Sequence, residues 1–336
     1  MNKIGIVGGA GFIGSALARH LSKSFVIKIL DMKPVPKDLQ KKLEYQQLDV
    51  NKYKEVERGL IDVEFVIHTA IVQIPLINKA KRLGYEVNIL GTQNVCEVVN
   101  QNPSIRGLIL ASSWHVVGER ELRGVIDEEF GFRPDRVEDR ARLYVLCKIG
   151  QETIVRVYDE MSEKIYGVIR MGTVLGKGMP EMTAAAIFIT NGLNGKPLTP
   201  YKHSMYRPML YTDVNDVCKA FEAYVTKVLS GEMCKEGGSL SHMVNIYWPE
   251  PITILELAEM IRDAIIERSK GKIKPGIEIV DRGQPVLFTP EDKDLIKVDV
   301  SKVKSFLGLE RMANPKETIE KLVKEKLQPR KSTIFK

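Results

Sequence analysis

At 336 residues, 44% apolar and 28% charged, the chain is long enough for a substantial core and too evenly mixed for a disordered or fibrous protein. Part of its net charge of +7 sits in Lys324, Lys326, Arg330, Lys331 and Lys336, which read as a solvated C-terminal tail over 321–336 and not as a nucleic-acid site. No apolar run approaches the ~20 residues of a membrane span, and no secretory leader is expected before the first strand. Cys96, Cys147, Cys218 and Cys234 are scattered without a C-x-x-C pair, and five histidines form no ligand pattern. The expectation is a cytoplasmic protein with reduced thiols, no membrane partner and no metal centre.

The chain opens with a strand through Ile4, Ile6 and Val7, then Gly8-Gly9-Ala10-Gly11-Phe12-Ile13-Gly14. A helix is predicted from about Ser15 to Ser22, and a second strand from Val26 to Leu30 ends on Asp31. Glycines at that spacing allow a tight turn and close approach of backbone to a pyrophosphate, whose charge rests on the helix N-terminus. An acid ~20 residues later can accept hydrogen bonds from a ribose hydroxyl. Strand, glycine turn, helix, strand and acid together predict a bound dinucleotide.

Further strands are predicted at Leu43–Leu48, Phe65–Thr69, Gly107–Ala111 and Tyr166–Arg170, alternating with helices at Thr92–Asn100 and Leu143–Met161. That alternation predicts an α/β fold, a Rossmann-type doubly wound parallel sheet. Ile71 to Gly84 reads as a loop. After Gly172 glycine and proline become frequent and elements shorten, predicting a smaller C-terminal substrate-binding α/β lobe over 173–320, interleaved with a first domain over 1–172. Its helices are expected at Ala184–Asn191, Val217–Leu229, Ile254–Arg268 with Thr253 as N-cap, and Pro315–Lys326 with Asn314 as cap. Asp31, Asp49, Thr69-Ala70 and Ser112-Ser113 all fall at carboxyl ends of strands, where open α/β sheets bind ligands.

Tyr144 and Lys148 lie four residues apart on a predicted helix, so phenol and ammonium project from one face. A phenol is a poor base near neutrality, and a neighbouring ammonium favours its ionised form. A strand-end serine can hold the oxygen whose proton leaves.

In this arrangement the sequence resembles the extended short-chain dehydrogenase/reductase family of nucleotide-sugar epimerases and dehydratases. The resemblance rests on Gly8–Gly14 with Asp31, Asp49-Val50, His68-Thr69-Ala70, Val87-Asn88 with Gly91-Thr92, Ser112-Ser113 with Val117-Gly118, Tyr144 with Lys148, and Asp299-Val300-Ser301-Lys302 with Leu307-Gly308. It implies NAD as cofactor, contacted by Gly8, Gly11, Phe12, Ile13, Gly14, Asp31, Asp49, Val50, Thr69, Ala70, Ser112, Tyr144 and Lys148. Asp31 without a neighbouring arginine favours NAD over NADP. Tyr144 would be the acid/base, Lys148 would lower its pKa while holding the nicotinamide ribose, and Ser113 would bind the reacting oxygen. A homodimer through the Thr92–Asn100 and Leu143–Met161 helices is implied as well.

Family dehydratases carry Asp-Glu directly after the serine or threonine, where this chain has Trp114-His115, which argues against dehydration. The resemblance therefore implies a nucleotide-sugar epimerase, with Ser113, His115, Thr173, Arg207 and Arg282 as candidate substrate contacts. The alternative is an NAD-dependent dehydrogenase of a free sugar, uronate or sterol-like alcohol. A non-catalytic NAD-binding regulator is the third possibility, and the intact Ser113, Tyr144 and Lys148 argue against it.

Overall fold

The apolar runs become the strands of one seven-stranded parallel sheet. A computed structural model describes residues 1–40, 42–235 and 237–328. Strands β1 (Lys3–Val7), β2 (Val26–Asp31), β3 (Glu44–Gln47), β4 (Phe65–His68), β5 (Gly107–Ser113), β6 (Ile165–Met171) and β7 (Met243–Ile246) lie in the order β7-β6-β5-β4-β1-β2-β3. The order reverses between β1 and β4, and the crevice beyond their carboxyl ends is where such a sheet binds a ligand.

Every strand except the mostly exposed β3 serves two cores, because successive side chains leave opposite faces of the sheet. Ile4, Ile6, Ile27, Ile29, Ile67 and Ile109 enter one buried cluster, while Val7, Leu30, Val66, Leu108 and Leu110 enter the other. Burial on both faces explains why the strands read as continuous apolar runs. The helices are α1 (Phe12–Leu21), α2 (Tyr53–Gly59), α3 (Gly91–Gln101), α4 (Asp139–Met161), α5 (Ala184–Leu193), α6 (Val214–Ser230), α7 (Ile254–Arg268), α8 (Ser301–Leu307) and α9 (Pro315–Leu327). On one side α6 packs on α1; on the other α3 packs between α2 and α4. None of the described helices is long and apolar enough to cross a membrane.

Three short strand pairs shape the region after β6. Thr173–Leu175 runs parallel to Tyr211–Asp213, Pro208–Met209 pairs antiparallel with Ile252–Thr253, and Gly124–Ile126 runs parallel to Ile296–Val298. Thr253 caps α7 in a reciprocal box with Glu256, at 3.1 and 2.8 Å. Asn314 caps α9 through Lys316 N–H at 2.9 Å.

The structure departs from the sequence expectations in several places. Helix α1 begins at Phe12, directly after Gly11, so Phe12-Ile13-Gly14 is its first turn. Helix α4 begins at Asp139, four residues early, its polar start stabilised by Arg142 on Asp139 at 2.9 Å. The expected loop from Ile71 to Gly84 carries two helical turns, Leu76–Lys79 and Lys81–Tyr85, fixed by buried Ile77 and by Asn78 donating to Arg140 O at 2.8 Å. The helix expected over Pro315–Lys326 is present as α9, and its buried Leu322 and Val323 correct the reading of a tail from 321, because one face of α9 completes the core. Residues 329–336 lie outside those described.

Candidate active site

The glycine turn is held by backbone contacts that exclude side chains. Gly8 N–H donates to Leu30 O at 2.8 Å, and at φ +84° a Cβ there would lie 2.4 Å from Ala70 N. A Cβ on Gly14 would meet Gly8 O at 2.4 Å, so the helix packs on the turn only as glycine. Gly11 is exposed; a Cβ on it would have only Gly8 O, at 3.4 Å, as a neighbour. No side chain caps α1, so its first N–H groups and their positive end are left for an anion. These features fit a dinucleotide pyrophosphate.

Half-buried Asp31 ends β2 beside this turn. Its carboxylate accepts from Ala10 N–H at 3.0 Å and Lys33 N–H at 2.9 Å, so it also braces the turn. Thr69 turns its hydroxyl inward, donating to Val7 O and Gly8 O at 3.0 Å each, and Ala70 meets Gly8 through backbone. Asp49 accepts from Asn51 N–H at 3.0 Å, while buried Val50 packs on Gly91 and its carbonyl accepts from Asn94 at 2.8 Å. Phe12 and Ile13 are half-buried; Ile13 packs on the core and Phe12 lies under Gly178. All of these stand at the carboxyl edge of the sheet.

The second cluster joins β5 to α4. Tyr144 is half-buried, with buried Ser113 beside its phenol. Burial pushes its phenol up to about 12. Lys148, one turn on, is buried and donates to Ala111 O at 2.7 Å. Burial pulls its ammonium down to about 7, against the opposing pull of Glu152. Ser112 donates to Glu152, a further turn along α4, and Glu152 is paired with buried Arg170 at 2.9 Å. At the end of β4, fully buried His68 contacts Thr92 at 2.9 Å; burial and Lys148 hold its imidazole down at about 3, hence neutral.

The remaining substrate candidates diverge. His115 lies between Ser113 Oγ, 3.0 Å from Nδ1, and Glu119, 3.2 Å from Nε2. Thr173 accepts from the Trp114 indole at 3.2 Å. Arg207 is buried and paired with Glu138, with Glu119 at 3.7 Å. Arg282 is exposed, its guanidinium 5.2 Å from the Tyr201 ring centre.

Sequence reasoning missed Glu119, Glu138 and Glu152. Glu152 repeats the four-residue spacing of Tyr144 and Lys148, and Glu119 stands four residues beyond His115, so spacing would have found both. No local signal marks Glu138.

The reversal in strand order, the glycine turn and the polar groups collected at the sheet edge define an NAD-dependent enzyme of the short-chain dehydrogenase/reductase type. The chain belongs to the NAD dependent epimerase/dehydratase family, whose profile matches residues 4–235. It is 26% identical over 320 residues to UDP-glucuronic acid decarboxylase 6 of Arabidopsis thaliana, covering 92% of this chain and 84% of that protein. Its fold matches MoeE5 in complex with UDP-glucuronic acid and NAD, with a TM-score of 0.76, 20% identity and coverage of 97% and 100% of the two chains. It also matches the UDP-glucose 4-epimerase of Thermus thermophilus in complex with NAD, with a TM-score of 0.74, 22% identity and coverage of 96% and 97%.

Proposed function

We propose that the protein is a nucleotide-sugar epimerase that transiently oxidises a sugar hydroxyl. One observation carries this reading: Tyr144, Ser113 and Lys148 supply proton chemistry at the sheet edge, and no carboxylate follows Ser113. Trp114 is buried with its indole on Thr173, and His115 is engaged by Ser113 and Glu119. An epimerase needs no further base to expel water.

NAD, when bound, supplies reversible hydride acceptance. Tyr144 Oη then takes the proton of the sugar hydroxyl and later returns it. Ser113 holds the reacting oxygen, and Lys148 lowers the cost of the phenolate. Asp31 holds the adenosine ribose, and the N-terminus of α1 the pyrophosphate. Incubation with UDP-glucose and with UDP-glucuronic acid tests the proposal. Interconversion of sugar epimers without net NADH at 340 nm supports it.

The burial of Arg207 between two carboxylates favours a second reading, a net dehydrogenase of a free uronate or other alcohol. It leaves Arg282 as the exposed candidate for a diphosphate. NADH accumulating with an unactivated uronate, and none of the nucleotide sugars turning over, would replace the first reading with this one.

The same proposal includes a homodimer. Leu83, Tyr85 and Leu90 are exposed, as are Leu146, Val157 and Met161 of α4, whereas the apolar face of α3 is internal. Light scattering at twice the chain mass supports it. Four free thiols, Cys234 exposed, suit the cytoplasm. Residues 1–172 are read as the cofactor unit and 173–320 as the principal substrate lobe.

A further inference from the structure

Behind Ser113 the hydrogen bonding continues inward. A tight turn over Trp114–Val117 follows β5 and brings His115 back over the serine, with Nδ1 3.0 Å from Ser113 Oγ. The other ring nitrogen lies 3.2 Å from Glu119 Oε1. Glu119 is 1% exposed, and its second oxygen accepts from Glu138 N–H at 3.0 Å. Burial opposes its ionisation, yet Arg207, then His115, hold the carboxyl down at about 2. At neutral pH it is therefore a carboxylate, which only accepts.

With His115 singly protonated, that sets the direction of each bond in the row. His115 Nε2 must carry the hydrogen, so Nδ1 presents a lone pair. The Ser113 hydroxyl then donates to Nδ1, and its oxygen, which accepts from His115 N–H at 3.4 Å, keeps a second lone pair for the phenol of Tyr144.

We propose that Glu119 and His115 are positioning residues that give the Tyr144 proton an inward route: Glu119 holds His115 as the Nε2–H tautomer, and His115 Nδ1 orients and receives the Ser113 proton. The Tyr144 O–H bond breaks as its proton reaches Ser113 Oγ, and the proton of Ser113 passes to Nδ1. A phenol and a neutral imidazole become a phenolate and an imidazolium, with no change in net charge and no electron transfer. The imidazolium faces Glu119, which Arg207 and the Glu138 backbone hold from other segments. The Trp114 ring packs on the imidazole, centres 4.4 Å apart, and Tyr144 meets it edge-on at 6.3 Å. Lys148 remains engaged on Ala111 O throughout.

The inference rests on Tyr144 acting as acid/base, and its first test needs no turnover. In the full chain, labelled with nitrogen-15 histidine and saturated with NAD, the His115 resonances are those lost in His115→Gln. At pH 8 they should show Nε2 protonated and Nδ1 bare, and in Glu119→Gln the single tautomer should give way to a mixture. A wild-type ring with hydrogen on Nδ1 overturns the route. With UDP-glucose as the probe, His115→Gln should lose about tenfold to a hundredfold in kcat with KM within twofold. The acidic limb of its kcat profile should rise by at least one pH unit, and Glu119→Asp should keep the wild-type limb. A uniform loss at all pH values overturns the route; an inert wild type with the expected tautomer overturns only the choice of substrate.

Discussion

Lys148 Nζ lies 2.7 Å from the carbonyl oxygen of Ala111, so the ammonium of α4 is docked on β5 immediately before Ser112-Ser113. The contact uses one of three donors of a buried cation and leaves the charge poorly compensated. Without cofactor, this makes the site sensitive to pH. Below pH 7 the side chain is charged in both folded and unfolded chains, and the folded chain bears the whole cost of burial. Between about 7 and the ordinary 10.5 the folded chain sheds the proton while the unfolded chain keeps it, so stability rises with pH. Lys148→Met should therefore raise the unfolding midpoint of the NAD-free protein more at pH 6 than at pH 9. An equal gain at both would mean that the ammonium is not strained.

Tyr144→Phe should lower turnover by roughly two to four orders of magnitude. The phenol is not part of the glycine turn, so the dissociation constant for NAD should move less than threefold. Steady-state rates and nucleotide titration check the two halves separately.

Removal of the Asp31 carboxylate deletes a proposed ribose contact and the acceptor for Ala10 N–H. Asp31→Ala should weaken NAD by about tenfold to a hundredfold, on the scale of one or two charged hydrogen bonds. NADP should lose less, since the carboxylate also repels a 2′-phosphate. Calorimetry with both nucleotides decides, and equal losses would remove Asp31 from cofactor choice.

Glu152→Gln should cost about 3–5 kcal/mol, because Arg170 is left charged and buried without its partner. Glu152→Leu combined with Arg170→Met should recover much of that loss. Denaturant midpoints measure both.

The legible part of this protein was the part built from local, repeated rules. The β1 run, the spacing of Gly8, Gly11 and Gly14, and Asp31 each announce themselves within a few residues of their neighbours. Tyr144 and Lys148 were legible because a helix turns four residues into adjacency. The partners of Arg207 were not, because Glu119 and Glu138 reach it across 88 and 69 positions of chain, and no pattern in the sequence marks an ion pair closed by tertiary folding. The segment after Ile71 was misjudged for a related reason: Ile77 and Asn78 gain their helical turns from contacts with distant residues, above local propensity.

The seventh strand of the sheet comes from residues 243–246, after the chain has left β6 and crossed α5 and α6. A fragment ending at Gly172 would expose the open edge of β6, whose seven residues are all buried in the whole protein, and would tend to associate through it. Exchange of substrate lobes between relatives is constrained in the same way. A donor lobe must bring a strand in register with Val168 to Met171, so substrate preference and the integrity of the nucleotide-binding sheet are inherited together.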